Sequence, residues 1–150
     1  MHFRKMVATD YSTVQAVAAA LPQWFTAGGL ASIRKDLHFQ LGIVAEDAGE
    51  IVGFVTYFVN QGIATIGWMG VFPNRHRSGC GSKLLAELKK ILLGHGVRSV
   101  LVSTLGDSVE YEPYSRTRSF YRKNGFLDYQ KINHPENPEQ EEELILRLEY

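Results

Sequence analysis

Three runs rich in β-branched and aromatic residues follow one another between residues 41 and 72 with almost no chain between them: LGIVAE, EIVGFVTYFVN and IATIGWMGVF. Only DAGE and NQG separate them, and both read as turns. Strands joined by so little chain pair antiparallel, because a parallel connection needs a crossover of about a dozen residues or more. The chain is therefore committed to a three-stranded meander, and everything else has to be built around it.

Upstream, FRKMV reads as a short first strand. A helix follows, with Asp10 or Ser12 as its cap; Ser12 and Gln15 have capping-box spacing. Val14, Val17, Ala18 and Leu21 fall on one helical face, and Pro22 ends it. LASIRKDL reads as a second short helix, with Leu30, Ile33 and Leu37 on one side. Downstream of Phe72 the order is loop, helix, strand, helix, strand, strand. The helix SKLLAELKKILL gathers Leu84, Leu85, Leu88, Ile91 and Leu92, with Gly94 expected just past its end. SVLVS, almost continuously apolar, reads as a central parallel strand. YSRTRSFYRKNGF is a helix ended by Asn124-Gly125, and FLDYQKI and LILRLEY are further strands. The acidic, Pro-containing NHPENPEQEEE between them reads as a solvated loop. The pattern predicts an α/β (α+β, mixed-sheet) domain over residues 1–150, with about six to seven strands flanked by about four helices.

Composition narrows the partners. A formal net charge of +0 favours neither nucleic acid nor a membrane surface. No apolar run approaches a membrane span, and MHFRKMVATD lacks an apolar signal core. Cys80 is the one cysteine, so no intrachain disulfide forms, and a cytoplasmic location is expected. His2, His38, His76, His95 and His134 show no metal-ligand spacing, so no metal is expected.

The loop VFPNRHRSGCGSKLL carries the strongest chemical signal. From Val71 to Lys90, Arg75, Arg77, Lys83, Lys89 and Lys90 stand against Glu87 alone. Gly79 and Gly81 let the backbone approach a ligand, and the N–H groups opening the next helix form an anion site. The alternative is a tight strand-to-helix turn with solvated arginines. Neither G-x-x-x-x-G-K-S/T nor G-x-G-x-x-G is present. Cys80, at a helix N-terminus among arginines, is expected to favour its thiolate; the alternative is a small residue fitted to a tight turn.

These residues resemble the acyl-CoA-binding motif of the GNAT superfamily of N-acetyltransferases: Gln or Arg, any two residues, Gly, any residue, then Gly or Ala. It falls on His76-Arg77-Ser78-Gly79-Cys80-Gly81, with His in place of Gln or Arg. SFYRKNGF resembles the second family signature, F-Y-x-x-x-G-F on a helix. The resemblance implies a sheet whose central strands splay, with acetyl-CoA as co-substrate. It implies direct attack on the thioester by a primary amine of a small molecule or peptide, and homodimers are common in the family.

The implied roles fall on named residues. The backbone from Arg77 to Ser82 would hold the diphosphate. Met69 and Val71, on a fourth strand that Gly67 and Gly70 let bulge, would pair with the pantetheine arm; a simple twist is the alternative for both glycines. Tyr121 would protonate the leaving thiolate, or merely pack beside Phe120. Tyr114 stands where the family often has Asn, and would either stack on the cofactor or wall the acceptor pocket. Trp24, Phe25, Tyr57, Trp68 and Tyr111 would border the acceptor or pack in the core. No carboxylate lies between Gly62 and Asn74, so the base is open among Glu46, Asp47, Glu110, Glu112 and a water chain. Glu139 and Glu141–Glu143 would attract a polycation or face solvent. A competing reading is a non-catalytic acyl-CoA-binding sensor, separable by testing for CoA release with an amine panel.

Overall fold

The computed structural model describes residues 1–137 and 142–150. Its elements are β1 (His2–Lys5), α1 (Tyr11–Ala19), α2 (Ala27–Asp36), β2 (Leu41–Asp47), β3 (Glu50–Asn60), β4 (Ile63–Val71), α3 (Cys80–Gly94), β5 (Ser99–Leu105), α4 (Glu112–Lys123), β6 (Leu127–Asn133) and β7 (Glu142–Glu149). The meander forms as its short turns require, with β1 added antiparallel to β2. One seven-stranded sheet runs β1-β2-β3-β4-β5-β7-β6. β4 and β5 are parallel, joined by the α3 crossover, while β7 lies antiparallel between β5 and β6. Among the described residues no helix is long and apolar enough to cross a membrane.

Helices cover both faces. On one, Leu84, Leu88 and Tyr121 of α3 and α4 pack on Val55, Ile66, Val102 and Leu146. On the other, Val14, Val17, Ile33 and Leu37 pack on Val44 and Phe54. The caps differ from the sequence expectation. Asp10 precedes α1, but its carboxylate accepts from Val7 N–H at 2.8 Å and pairs with Arg4 at 2.8 Å. The Ser12–Gln15 capping box is therefore not used. Thr26 caps α2 by accepting from Gly29 N–H at 3.1 Å, so that helix starts earlier than expected. Gly94 stays inside α3, and Gly96 takes the left-handed conformation with φ 75°.

The feature that creates a site is the separation of β4 from β5. Their pairing ends at Ile66↔Val102, although both strands continue. On the other side of β4, a bulge sets Gly67 and Trp68 against Thr56 alone. Buried Thr56 accepts Trp68 N–H on Oγ1 at 2.8 Å and donates to Gln40 Oε1 at 2.7 Å, so the unpaired backbone group is satisfied. A Cβ at Gly67 would overlap the Gln40 amide and displace the group that accepts from Thr56. The bulge reverses the alternation: Ile66 and Met69 face α3 and α4, while Trp68 faces α1 and α2. Gly70 lies beyond the bulge, where a Cβ would press Leu21 and Phe54 at 3.0 Å each. Across the gap, buried Arg118 of α4 donates to Leu105 O at 2.7 Å and Gly106 O at 3.1 Å, fixing the free end of β5.

Candidate active site

Phe72 N–H donates to Val52 O at 2.9 Å, which sets the parity of the β3–β4 ladder. In an antiparallel pair only alternate residues bond a given neighbour. The N–H and C=O groups of Met69 and Val71 therefore point away from β3, into the space that β5 has left. One of them already has a partner within the chain. His76 Nε2 lies 2.8 Å from Val71 O and must carry the proton, since a carbonyl only accepts. His76 thus caps the end of β4, and its ring meets Trp24 edge-on at 5.9 Å.

The glycine-spaced loop then turns into α3. Arg77 (φ 64°) and Gly79 (φ 81°) are left-handed, and Gly79 occupies the N-cap position. Ser78 Oγ donates to Arg75 O at 2.5 Å and accepts from Cys80 N–H at 3.3 Å, so Ser78 ties the turn and does not line the cleft. Lys83 N–H is the first to bond back, to Gly79 O at 3.0 Å. The N–H groups of Gly81 and Ser82 therefore open from the positive end of the helix dipole. A Cβ at Gly81 would come 3.0 Å from the Phe120 ring, so the two sequence motifs meet here and leave backbone exposed between them. Arg75 is paired with Asp47 at 2.5 Å.

Tyr121 is buried below this opening, between Phe120 and Phe126, with ring centroids 5.2 and 5.3 Å away. Its hydroxyl donates to Met69 Sδ at 3.8 Å. Burial pushes the phenol well above its ordinary range, so it stays protonated at neutral pH. Cys80 departs from the sequence expectation. It is buried, and desolvation raises its thiol despite the lowering influence of Lys83 and Arg75. The loop charges are outside while the sulfur points into the core, so the thiolate is not favoured.

A cleft of about 1040 Å³ connects these groups. Met69, Val71, His76, Arg77, Gly79, Cys80, Gly81, Ser82, Tyr114 and Tyr121 all line it, as do Trp24, Phe25 and Trp68. Tyr57 does not: it is buried in the core on the α3/α4 face, and burial raises its phenol. Tyr111 also lies outside the lining and donates to Gln23 O at 3.0 Å. Trp24 bridges the splay, its indole N–H 3.0 Å from both Pro113 O and Thr117 Oγ1 of α4. Tyr114 OH donates to Trp24 O at 3.4 Å, which makes it a wall tied to the α1–α2 segment. Trp68 donates its indole N–H to Asp36 at 2.8 Å.

None of the four carboxylates considered as bases reaches the cleft. Glu46 pairs with Arg4, Asp47 with Arg75 and Glu112 with Arg116, while Glu110 is exposed. Among the described residues the cleft has one carboxylate, Glu143, beside Ser103. The sequence reading placed Glu143 at the end of a solvated loop. It belongs instead to β7, which begins at Glu142; Glu139 and Glu141 lie outside the described residues. A signal was present in EELILRLE: Glu143 alternates with Leu144 and Leu146, so it leaves the sheet on the opposite face. What lies beside it depends on β7 inserting against β5. Among the described residues no group of His, Cys, Asp and Glu is placed to hold a metal ion.

Comparison with known proteins agrees with this architecture. A sequence model of the acetyltransferase (GNAT) domain matches residues 38–127, more than half of the chain. A GNAT-family protein from Desulfovibrio desulfuricans superimposes with a TM-score of 0.86 at 24% identity, covering 99% of this chain and 98% of that one. The ribosomal-protein-S18-alanine N-acetyltransferase of Escherichia coli gives 0.77 at 18%, covering 99% and 92%. The PaiA N-acetyltransferase of Thermoplasma acidophilum, solved with coenzyme A, gives 0.74 at 18%, covering 100% of both chains. At these identities the structural likeness establishes the fold. No curated protein matches the chain.

Proposed function

Because this chain belongs to the GNAT acetyltransferase family, we propose that it carries an acetyl group from acetyl-CoA to a primary amine of a small molecule or peptide, by direct attack on the thioester. One observation carries the reading. The backbone groups of Met69 and the N–H of Val71 face an open gap that leads from the N-terminus of α3 to the buried Tyr121, while Val71 O is held by His76. A diphosphate fits the N–H groups of Gly81 and Ser82, where a side chain at 81 would collide with Phe120. An extended arm fits the unpaired edge of β4, much as another strand would. Acetyl-CoA supplies an activated acyl group; the protein's part is to hold it, to offer a backbone N–H to the developing oxyanion and to protonate the departing sulfur. Tyr121 is the proton donor, because it lines the cleft and its hydroxyl reaches the side chain of Met69.

The test is release of free CoA thiol from acetyl-CoA over a panel of primary amines and free-amino peptides, with the acetylated product identified by mass. Turnover with at least one amine is the expected result. Tight acetyl-CoA binding with no thiol release from any acceptor would overturn the reading in favour of a non-catalytic acyl-CoA sensor.

A further inference from the structure

The cleft is electrically asymmetric. Around the N-terminus of α3 and along α4 it is lined by Arg77 and Lys123, and by Arg75 and Arg116, whose charges are paired with Asp47 and Glu112. Its one carboxylate among the described residues, Glu143, comes from a different part of the sheet. Val102 and Leu144 are buried on the α3/α4 face, so their neighbours Ser103 and Glu143 leave the sheet on the opposite face. Trp68 faces that same side. The N-terminus of α3, which packs on the α3/α4 face, and the carboxylate thus stand on opposite faces of the splayed sheet.

Glu143 is held from two directions. Ser103 Oγ donates to Oε2 from β5, and His134 Nε2 lies 3.0 Å from Oε1 in the turn after β6. Glu136 approaches the other His134 ring nitrogen at 3.8 Å. The Glu143 side chain remains about one-quarter exposed, so its oxygens can take a further donor. The Ser103 and His134 contacts keep the carboxyl below its ordinary range despite partial burial.

We infer that Glu143 is the anchor that receives the protonated amino group of the acceptor, presented by Ser103 and His134 on the face opposite the anion site. This rests on the acetyl-transfer reading, and it narrows the acceptor to molecules that arrive as ammonium ions. Primary alkyl amines, with pKa values near that of lysine at about 10.4, arrive in this form at neutral pH. A carboxylate stabilised in its ionised form attracts such a cation strongly but is a poor base toward it. Glu143 therefore binds and positions the amine, and the proton leaves to water. The aromatic wall at Trp68 suits an apolar stem behind the charge.

Both tryptophans of the chain, Trp24 and Trp68, line the cleft, so their two indole N–H resonances report occupancy directly. The experiment titrates the protein, saturated with CoA, with n-hexylammonium chloride and separately with 1-hexanol. The wild type is expected to prefer the cation by about tenfold to a hundredfold, as for a charge-assisted hydrogen bond. Glu143→Gln should erase that preference, and Glu143→Asp should retain part of it. In turnover, Glu143→Gln should raise the amine KM by about tenfold or more, with kcat and CoA affinity within about threefold. Added salt should raise KM in the wild type and not in Glu143→Gln. Equal binding of cation and alcohol by the wild type would overturn the anchor, as would a preference surviving Glu143→Gln. A fall in kcat at constant KM would also overturn it, because Glu143 would then be a base. Cation preference without any CoA release would refute acetyl transfer and leave the anchor standing.

Discussion

Tyr121→Phe separates chemistry from packing more cleanly than any other single change in this protein. The ring is buried between Phe120 and Phe126, and phenylalanine keeps all of it. The lost hydroxyl has a contact with Met69 Sδ at 3.8 Å, and a thioether is a weak acceptor. The stability lost is bounded by an ordinary hydrogen bond, about 1 kcal/mol, and is offset because the buried hydroxyl no longer has to be desolvated. For a chain of this size that shifts Tm by no more than about 4 °C. If the hydroxyl protonates the departing thiolate, kcat falls by about 10²-fold, which is about 2.7 kcal/mol of barrier. The raised phenol pKa does not remove Tyr121 from this role. A thiolate formed against the buried phenol would be desolvated too, which would raise the two pKa values together. Because the phenol stays protonated, an alkaline fall in rate below about pH 10 would have to come from another group. Steady-state kinetics with acetyl-CoA, a thioester of a more acidic thiol and a thermal melt decide the matter. The expected pattern is a large loss in kcat, a smaller loss with the better leaving group and a nearly unchanged Tm. An unchanged kcat with a clearly lowered Tm would refute the reasoning and leave water as the donor.

Other outcomes follow from the same geometry. Buried Cys80, with its thiol raised, should alkylate slowly with or without CoA, and fast labelling that CoA blocks would contradict its placement. Thr56→Val should cost about 2 kcal/mol in a denaturant melt, because it strands Trp68 N–H in the bulge, and should raise the KM for acetyl-CoA by disturbing β4. Gly81→Ala should weaken CoA binding by calorimetry and also lower Tm, since the new Cβ presses Phe120 at 3.0 Å; a larger residue there would not leave the fold untouched. Asp10, depressed mainly by its bond from Arg4, contributes stability that is present above its unfolded value of 3.8 and lost as pH falls through the lower folded value. Asp10→Asn should therefore destabilise by about 2 kcal/mol at pH 7, with the difference from wild type shrinking below about pH 4.

Local chemistry made much of this protein readable in one dimension. Four-residue and shorter turns between β-rich runs permit only antiparallel pairing, so the meander from Leu41 to Val71 appears almost residue for residue. The left-handed turn at Gly79 and the helix opening behind it were legible too, because positive φ and a helix N-terminus are properties of a few adjacent residues. Tyr121 and Met69 were identified by resemblance to a family, and the splay brings their side chains within reach of each other. Asp10, one of the two caps that the sequence offers, does stand at the N-cap of α1, though its side chain turns back to Val7 and Arg4; Thr26 and Gly96 were missed, since a cap depends on which of several nearby polar or glycine residues the tertiary packing presents to the helix end.

Other features exist only in three dimensions. His76 sits in the anion-loop motif by sequence, but it reaches back to Val71 O because the loop folds over the end of β4. Tyr57 looks like any other aromatic near a binding strand, but it shares the core face with Val55, while the bulge in β4 turns Trp68 to the face opposite Ile66. Glu143 is separated by 40 residues from Ser103 and reads as the end of an acidic loop. It becomes the cleft's carboxylate because β7 inserts between β5 and β6, and strand insertion is set by the summed burial of whole sheet faces, which no short window of sequence contains.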